Sequence, residues 1–294
     1  MSAAAGAAPA APSAGARVRP RRPSVLTVYR WELRKLRSQK RTYLGFALIV
    51  LLPLIFVIVE HIHQRQHRGA NSVFASEITR SGLATPVLML TFLVLFMLPL
   101  VAALVAGDIL ANEDGNGTLK TILTRSVDRG QVFAAKALAA MTYAAAAAFL
   151  SAAVATVAGV ASWGFHSLIS LSGTTVSAPE ALLLVFAANA VYLIPLLTVA
   201  SIGVLLSTVT RNSAAAVVAT IGAVILLDIV SAIPGLEGIR PYLLTQQFEA
   251  WQGLLRTPTD WTPIAHSAWL CALYALPALL AGYLVFLRRD VAGG

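Results

Sequence analysis

Apolar side chains run along this sequence in six long blocks separated by short polar intervals. The blocks span residues 43–59, 83–106, 132–161, 181–209, 212–233 and 267–287. Each is long enough, as a helix rising ~1.5 Å per residue, to cross a hydrocarbon core of ~30 Å with its flanks. The pattern predicts an all-α integral membrane protein with six transmembrane helices. The fourth and fifth blocks are joined only around Thr210, Arg211 and Asn212, which predicts a tight turn there. Pro53, Pro99, Pro195 and Pro277 fall inside blocks and predict bends, and the Ala-rich third block predicts close helix packing.

The period changes ahead of the first block. Over residues 24–41, Val25, Leu26, Tyr29, Leu33 and Leu36 share one helical stripe, while Arg30, Arg34, Lys35 and Arg37 lie off it. This predicts an amphipathic interfacial helix with its cations toward anionic lipid. Residues 1–23 are a low-complexity run of Ala, Pro, Gly and Arg, expected to be a disordered cytosolic tail. Its basic residues follow the Ala-rich part, the reverse of a signal peptide. The predicted organisation is a tail (1–23), an interfacial helix (24–41), a membrane domain (42–287) and a short cytosolic C-terminal tail (288–294).

Composition agrees: 57% of the 294 residues are hydrophobic and 12% charged, with a mean hydropathy of +0.75, far from the quarter charged of soluble domains. The net charge of +9 would suggest nucleic acid in a soluble protein. Here the cations flank apolar blocks, so the expected partner is the lipid bilayer and not nucleic acid. With the N-terminus inside, the inner segments hold 17 Lys and Arg against 5 in the outer ones. Positive residues favour the cytosol, so both termini are expected there, in the cytoplasmic (inner) membrane. The outer loops are then 60–82, 162–180 and 232–266, with Trp163, Trp251, Trp261 and Trp269 as an outer aromatic belt.

The sequence lacks a nucleotide-binding P-loop, a His-Glu-x-x-His, a Gly-x-Ser-x-Gly and a Cys-x-x-Cys, and Cys271 is its one cysteine. A non-catalytic chain that binds no cofactor itself is expected. Polar candidates within the spans are Asn189 and Asp228. Glu60, His63 and His67 share a face if the first helix continues past the bilayer, but no second cluster completes a coordination shell, so a solvated cluster is expected rather than a metal site.

The polar interval 111–136 carries the densest local signals. Asn112, Asp114, Gly115, Asn116 and Gly117 predict a break. Residues 118–125 then suit two helical turns, with Leu119, Ile122 and Leu123 on one face and Lys120 and Arg125 off it. Asp128 is placed to N-cap the third span, with Gln131 at the capping-box position and Val127 and Val132 as a staple. Arg129 and Lys136 follow at the foot of that span. Three aliphatic side chains held outside the bilayer need a partner to bury against.

The run Glu113-x-x-x-Gly117-Thr118-Leu119-Lys120, followed by Ser126-Val127-Asp128-Arg129-Gly130-Gln131-Val132 and Lys136, resembles the cytosolic loop of type-2 ABC (ATP-binding-cassette) exporter permeases. The basic stretch before the first block is similar to the elbow helix of that family. Ser126 departs from it, since many relatives have proline there. The resemblance implies that Glu113, Gly117, Thr118, Leu119, Lys120, Ile122, Leu123 and Arg125 form or position a coupling helix, which docks on a cytosolic ATPase subunit. It implies two ATPase copies carrying ATP and Mg, a second permease chain (the same or a close paralogue), and short re-entrant helices between spans five and six. A lining of Ala, Leu, Val and Phe favours a drug, an antibiotic or another amphipathic or lipid-like cargo. Sodium or metal-linked export is an alternative within the family. A secondary transporter without an ATPase is another, and it predicts inverted repeats that the sequence does not display.

Overall fold

A computed structural model describes residues 24–66, 80–92, 94–115, 117 and 128–288. Helix α1 (Val25–Ser38) starts at Ser24, whose hydroxyl accepts from the Thr27 N–H. Helix α2 (Lys40–Gln66) is the first membrane block, and α3 (Ala84–Phe92) and α4 (Val94–Ala106) flank residue 93 in the second. A short α5 (Ala111–Gly115) follows, then the third block, α6 (Arg129–Trp163). A small antiparallel hairpin, β1 (Leu168–Ile169) and β2 (Thr175–Val176), precedes α7 (Ala178–Thr210) and α8 (Ser213–Ala232). Two 3₁₀ segments, Arg240–Tyr242 and Leu244–Leu255, lead into α9 (Thr262–Arg288). Six helical stretches are long and apolar enough to cross a membrane: Lys40–Ile62, Phe96–Gly115, Arg129–Trp163, Ala178–Thr210, Ser213–Ala232 and Thr262–Arg288.

The chain therefore has two ends. At one, α5, the start of α6, the α7–α8 turn and the end of α9 meet; Arg129 donates to the Leu287 carbonyl there at 3.1 Å. At the other, the hairpin, the 3₁₀ segments and the start of α9 meet. Leu171 N–H donates to the Leu255 carbonyl at 2.9 Å, and Gly82 N–H donates to Gly164 at 3.0 Å.

Helices α6 and α7 form the centre. Ala140, Ala144, Ala147, Ala148 and Ala155 of α6 are all buried, and such small side chains let helix backbones approach closely where lipid supplies no hydrophobic drive for association. Tyr192 of α7 is fully buried against Phe248 of the long 3₁₀ segment, ring centroids 4.9 Å apart. Pro53, Pro99, Pro195 and Pro277 all lie inside helices.

Several expectations need correction. The buried stripe of α1 is Val28, Glu32 and Leu36, while Leu26 is exposed. A carboxylate thus sits where an aliphatic stripe was expected, because α1 packs on the foot of α6 rather than lying free on lipid. The break expected over 112–117 holds only at its end, where the helix stops at Gly115 and Gly117 is a turn residue; residues 111–115 are helical, and a further interruption lies over residues 107–110. Trp251 is buried and belongs to the core, not to an interfacial belt; Trp261 and Trp269 are exposed. The hairpin falls within the expected outer loop 162–180. Its local cause is a set of pairing residues of which Ile169, Thr175 and Val176 are β-branched, around Gly173, whose φ of 79° suits glycine.

Candidate functional site: a buried charge node

At the α5 end, six stretches of the chain bring charged side chains together beneath the apolar bundle. Lys136, two helical turns into α6, is fully buried. Its ammonium donates to Glu32 of α1 at 3.0 Å and lies 2.7 Å from Glu113 of α5. Glu113 also pairs with Lys35 of α1. Nearby, Asp108 is held by Arg41 of α2 and by the Ser213 hydroxyl at the start of α8. Asp114 faces Arg211 at 3.6 Å, from the α7–α8 turn. Four cations and four carboxylates balance. Lys136, Glu32, Glu113 and Asp108 are the buried ones, and groups withdrawn from water must be paired if each is to keep its charge, while Arg211 and Lys35 reach the node from the surface.

The packing is tight. Only about 10 Å³ of free space lies among Glu32, Lys35, Arg41, Asp108 and Glu113, room for no more than about one water. Burial, reinforced by the Lys136 charge, lowers the Lys35 pKa below the ordinary lysine value, and the Glu32 carboxylate opposes this. Lys35 therefore does not reach toward anionic lipid as the amphipathic pattern predicts; its head turns to Glu113.

The local backbone explains how α5 is aimed. A Cβ at Gly107 would lie 2.9 Å from Val217 N, and one at Gly203 2.9 Å from the Ala106 Cβ, so glycine allows α7 and α8 to press against the end of α4. The helix breaks there, and the N–H groups of Leu110 and Ala111 both donate to the Ser207 hydroxyl of α7, at 3.1 and 3.0 Å. One side chain thus satisfies two buried donors that the break would otherwise orphan. Ser207→Ala is expected to cost ~1–3 kcal/mol, read as a lower thermal midpoint and faster hydrogen exchange at Leu110 and Ala111. Unchanged exchange at both amides would contradict this account.

Asp128 caps α6, but its carboxylate accepts from Gly130 N–H at 3.1 Å. The Gln131 side-chain oxygen is buried with no hydrogen-bond partner among the described residues, so the reciprocal capping box is not formed. Gly117 has a φ of 67°. Thr118, Leu119, Lys120, Ile122, Leu123 and Arg125, with Val127, lie outside the described residues. Asn189 is buried and donates to its own helix at Val185 O, 2.9 Å away. Asp228 sits half-buried near the far end of α8, away from the node. Glu60 and His63 lie on α2 and His67 lies outside the described residues. Among the described residues no group of three or more His, Cys, Asp or Glu is placed to hold a metal ion.

The node thus joins Glu113 and Lys136 of the motif-bearing interval to Glu32, Lys35, Arg41, Asp108, Asp114 and Arg211, whose partners the sequence reading had not assigned. A family model of the ABC-2 family transporter proteins matches residues 29–227, most of the chain. The chain belongs to the ABC-2 transporter family. It is therefore a multi-pass ABC permease, a membrane transport component of a class that generally works with an ABC ATPase. The match takes in α1 from Tyr29, the whole node and all but the end of α8. No curated protein matches the chain.

Proposed function

We propose that this ABC-2 permease is the membrane subunit of an ATP-driven exporter, with the node end in the cytosol. The observation carrying this reading is the burial of Glu113 between Lys35 and Lys136, immediately before the interval with the apolar-striped run 118–125. In this reading that run is the coupling helix docked on the ATPase. A push on it reaches Glu113 on α5, then Lys136 on the central α6 and Lys35 on α1. Buried charges suit such transmission because they have few alternative partners and move together. Two ATPase copies and a second permease chain complete the transporter, and the 3₁₀ segments cover the outer end. The alanine- and leucine-rich interior supports an amphipathic or lipid-like cargo, such as a drug or antibiotic.

The test is co-reconstitution with the ATPase and uptake of a fluorescent amphipathic dye into inverted vesicles. Leu119→Asp and Ile122→Asp each place a charge on the docking stripe. Each is expected to abolish ATPase co-purification and to lower ATP-dependent uptake more than tenfold, while the permease keeps its thermal midpoint. Retained ATPase binding with normal uptake in both variants would overturn the docking reading.

A further inference from the structure

The end opposite the node carries a cleft of about 430 Å³ between the Leu244–Leu255 segment and the first turns of α9, within the ~300–1,000 Å³ range of small-molecule sites. Its walls follow from helix type. With three residues per turn, side chains at i, i+3 and i+6 of a 3₁₀ helix eclipse, so Gln246, Glu249 and Gln252 form one polar column, and all three line the cleft. Phe248, Trp251 and Leu255 of the same segment are buried in the core cluster. The wall is braced where the chain doubles back: Asp260 N–H donates to the Gly253 carbonyl at 3.0 Å, and a Cβ at Gly253 would lie 2.3 Å from the Asp260 carbonyl oxygen.

Charge selects the ligand class. Across the cleft, Arg256 pairs with Asp260 at 3.3 Å, and the other Asp260 oxygen accepts from Thr262 N–H at 3.0 Å. His266 Nε2 lies 2.9 Å from the Pro241 carbonyl oxygen, so Nε2 carries the hydrogen and donates. Among the described residues Glu249 has no ion-pair partner, and the cleft is left with one uncompensated negative charge between two amides. Trp261 and Trp269, both exposed, flank it, the residue type that settles at a membrane–water boundary.

We infer that this cleft binds a small molecule through an ammonium group seated on Glu249, with Gln246 and Gln252 beside it. The ammonium belongs either to a free amine or to an aminophospholipid headgroup. The inference does not depend on the transport reading.

The full-length chain is tested in two arms. In phosphatidylglycerol nanodiscs, ethanolamine is titrated and the thermal midpoint followed. In mixed phosphatidylethanolamine and phosphatidylglycerol membranes, retained lipid is read by native mass spectrometry. A saturable rise with ethanolamine supports the site and assigns it to soluble amines, and preferential retention of phosphatidylethanolamine supports it and assigns it to lipid. Glu249→Gln is expected to weaken whichever signal appears at least tenfold. Gln252→Leu, which fills the column, is expected to weaken it similarly, and Glu180→Gln at the start of α7 to leave it unchanged. Absence of both signals, or a Glu249→Gln variant equal to the parent, would overturn the inference.

Discussion

Lys136→Met is expected to lose about 3–5 kcal/mol of stability, the range for removing one partner of a buried ion pair. The Lys136 ammonium is fully buried between Glu32 at 3.0 Å and Glu113 at 2.7 Å. Methionine keeps most of the volume but leaves Glu32 and Glu113 in a tight site where only Lys35 pairs directly with one of them, Arg41 being engaged by Asp108. The check is thermal unfolding of the purified chain in nanodiscs, alongside Glu113→Gln and the double variant. The double variant removes one charge of each sign, so it is expected to fall short of the summed single losses by ~1–3 kcal/mol. Strict additivity would show that Glu113 and Lys136 do not act on one another. Under the proposed exporter function, Lys136→Met at equal expression is also expected to uncouple ATP hydrolysis from uptake, because α6 loses its tie to α5.

Gly159→Val is the second large effect, at the other end of α6. A Cβ at Gly159 would lie 2.3 Å from the Gly82 carbonyl oxygen and 2.6 Å from the Thr85 hydroxyl, and one at Gly82 2.3 Å from the Gly159 carbonyl. Backbone meets backbone there, so no rotamer change relieves the clash and the chain before α3 must separate from α6. Overpacking with partial relief costs ~1–3 kcal/mol, occasionally more; here ~3 kcal/mol or above is expected, with a matching fall in thermal midpoint. Gly222→Val on α8 is the control. Nothing lies within 4 Å of a Cβ there, so a change within about 0.5 kcal/mol is expected, as at open positions generally. Equal losses at both sites would show that the close approach is not what Gly159 provides.

The six spans were legible because an apolar run some twenty residues long has few fates besides crossing a bilayer. Their ends were less so. The first block was read as residues 43–59, yet α2 runs Lys40–Gln66, since the polar residues beyond the apolar run remain helical. The Asp128 cap was legible as local chemistry, since its acceptor and donor lie two residues apart. Gln131 misled because the residue pattern of a capping box does not show where the rest of the protein will bury the amide. Trp251 misled in the same way: its composition suits an interface, but a 3₁₀ turn carries it into the core.

The charge node marks the boundary. Glu113 and Lys136 stand out through the family-like motif, whereas no pattern in the sequence marks Glu32 or Asp108. One hint was available: with 13 acidic residues against 22 basic ones, carboxylates beside long apolar runs are scarce, and each calls for a cation. Which cation was not readable, since Glu32 and Lys136 are 104 residues apart and Arg41 and Asp108 are separated by two spans and the loop between them.

By itself the sequence determined the number of spans, the amphipathic lead helix, the capped start of α6 and the resemblance to ABC exporter permeases. These depend on hydrophobic length, periodicity and local hydrogen bonding, all properties of neighbours along the chain. Tertiary structure alone decided that α1 turns Glu32 inward, that Ser207 caps a break in another span, and that four cations meet four carboxylates at one end of the bundle. The physical reason is that the low dielectric around buried charges makes pairing obligatory, but the choice of partner depends on which helices pack together.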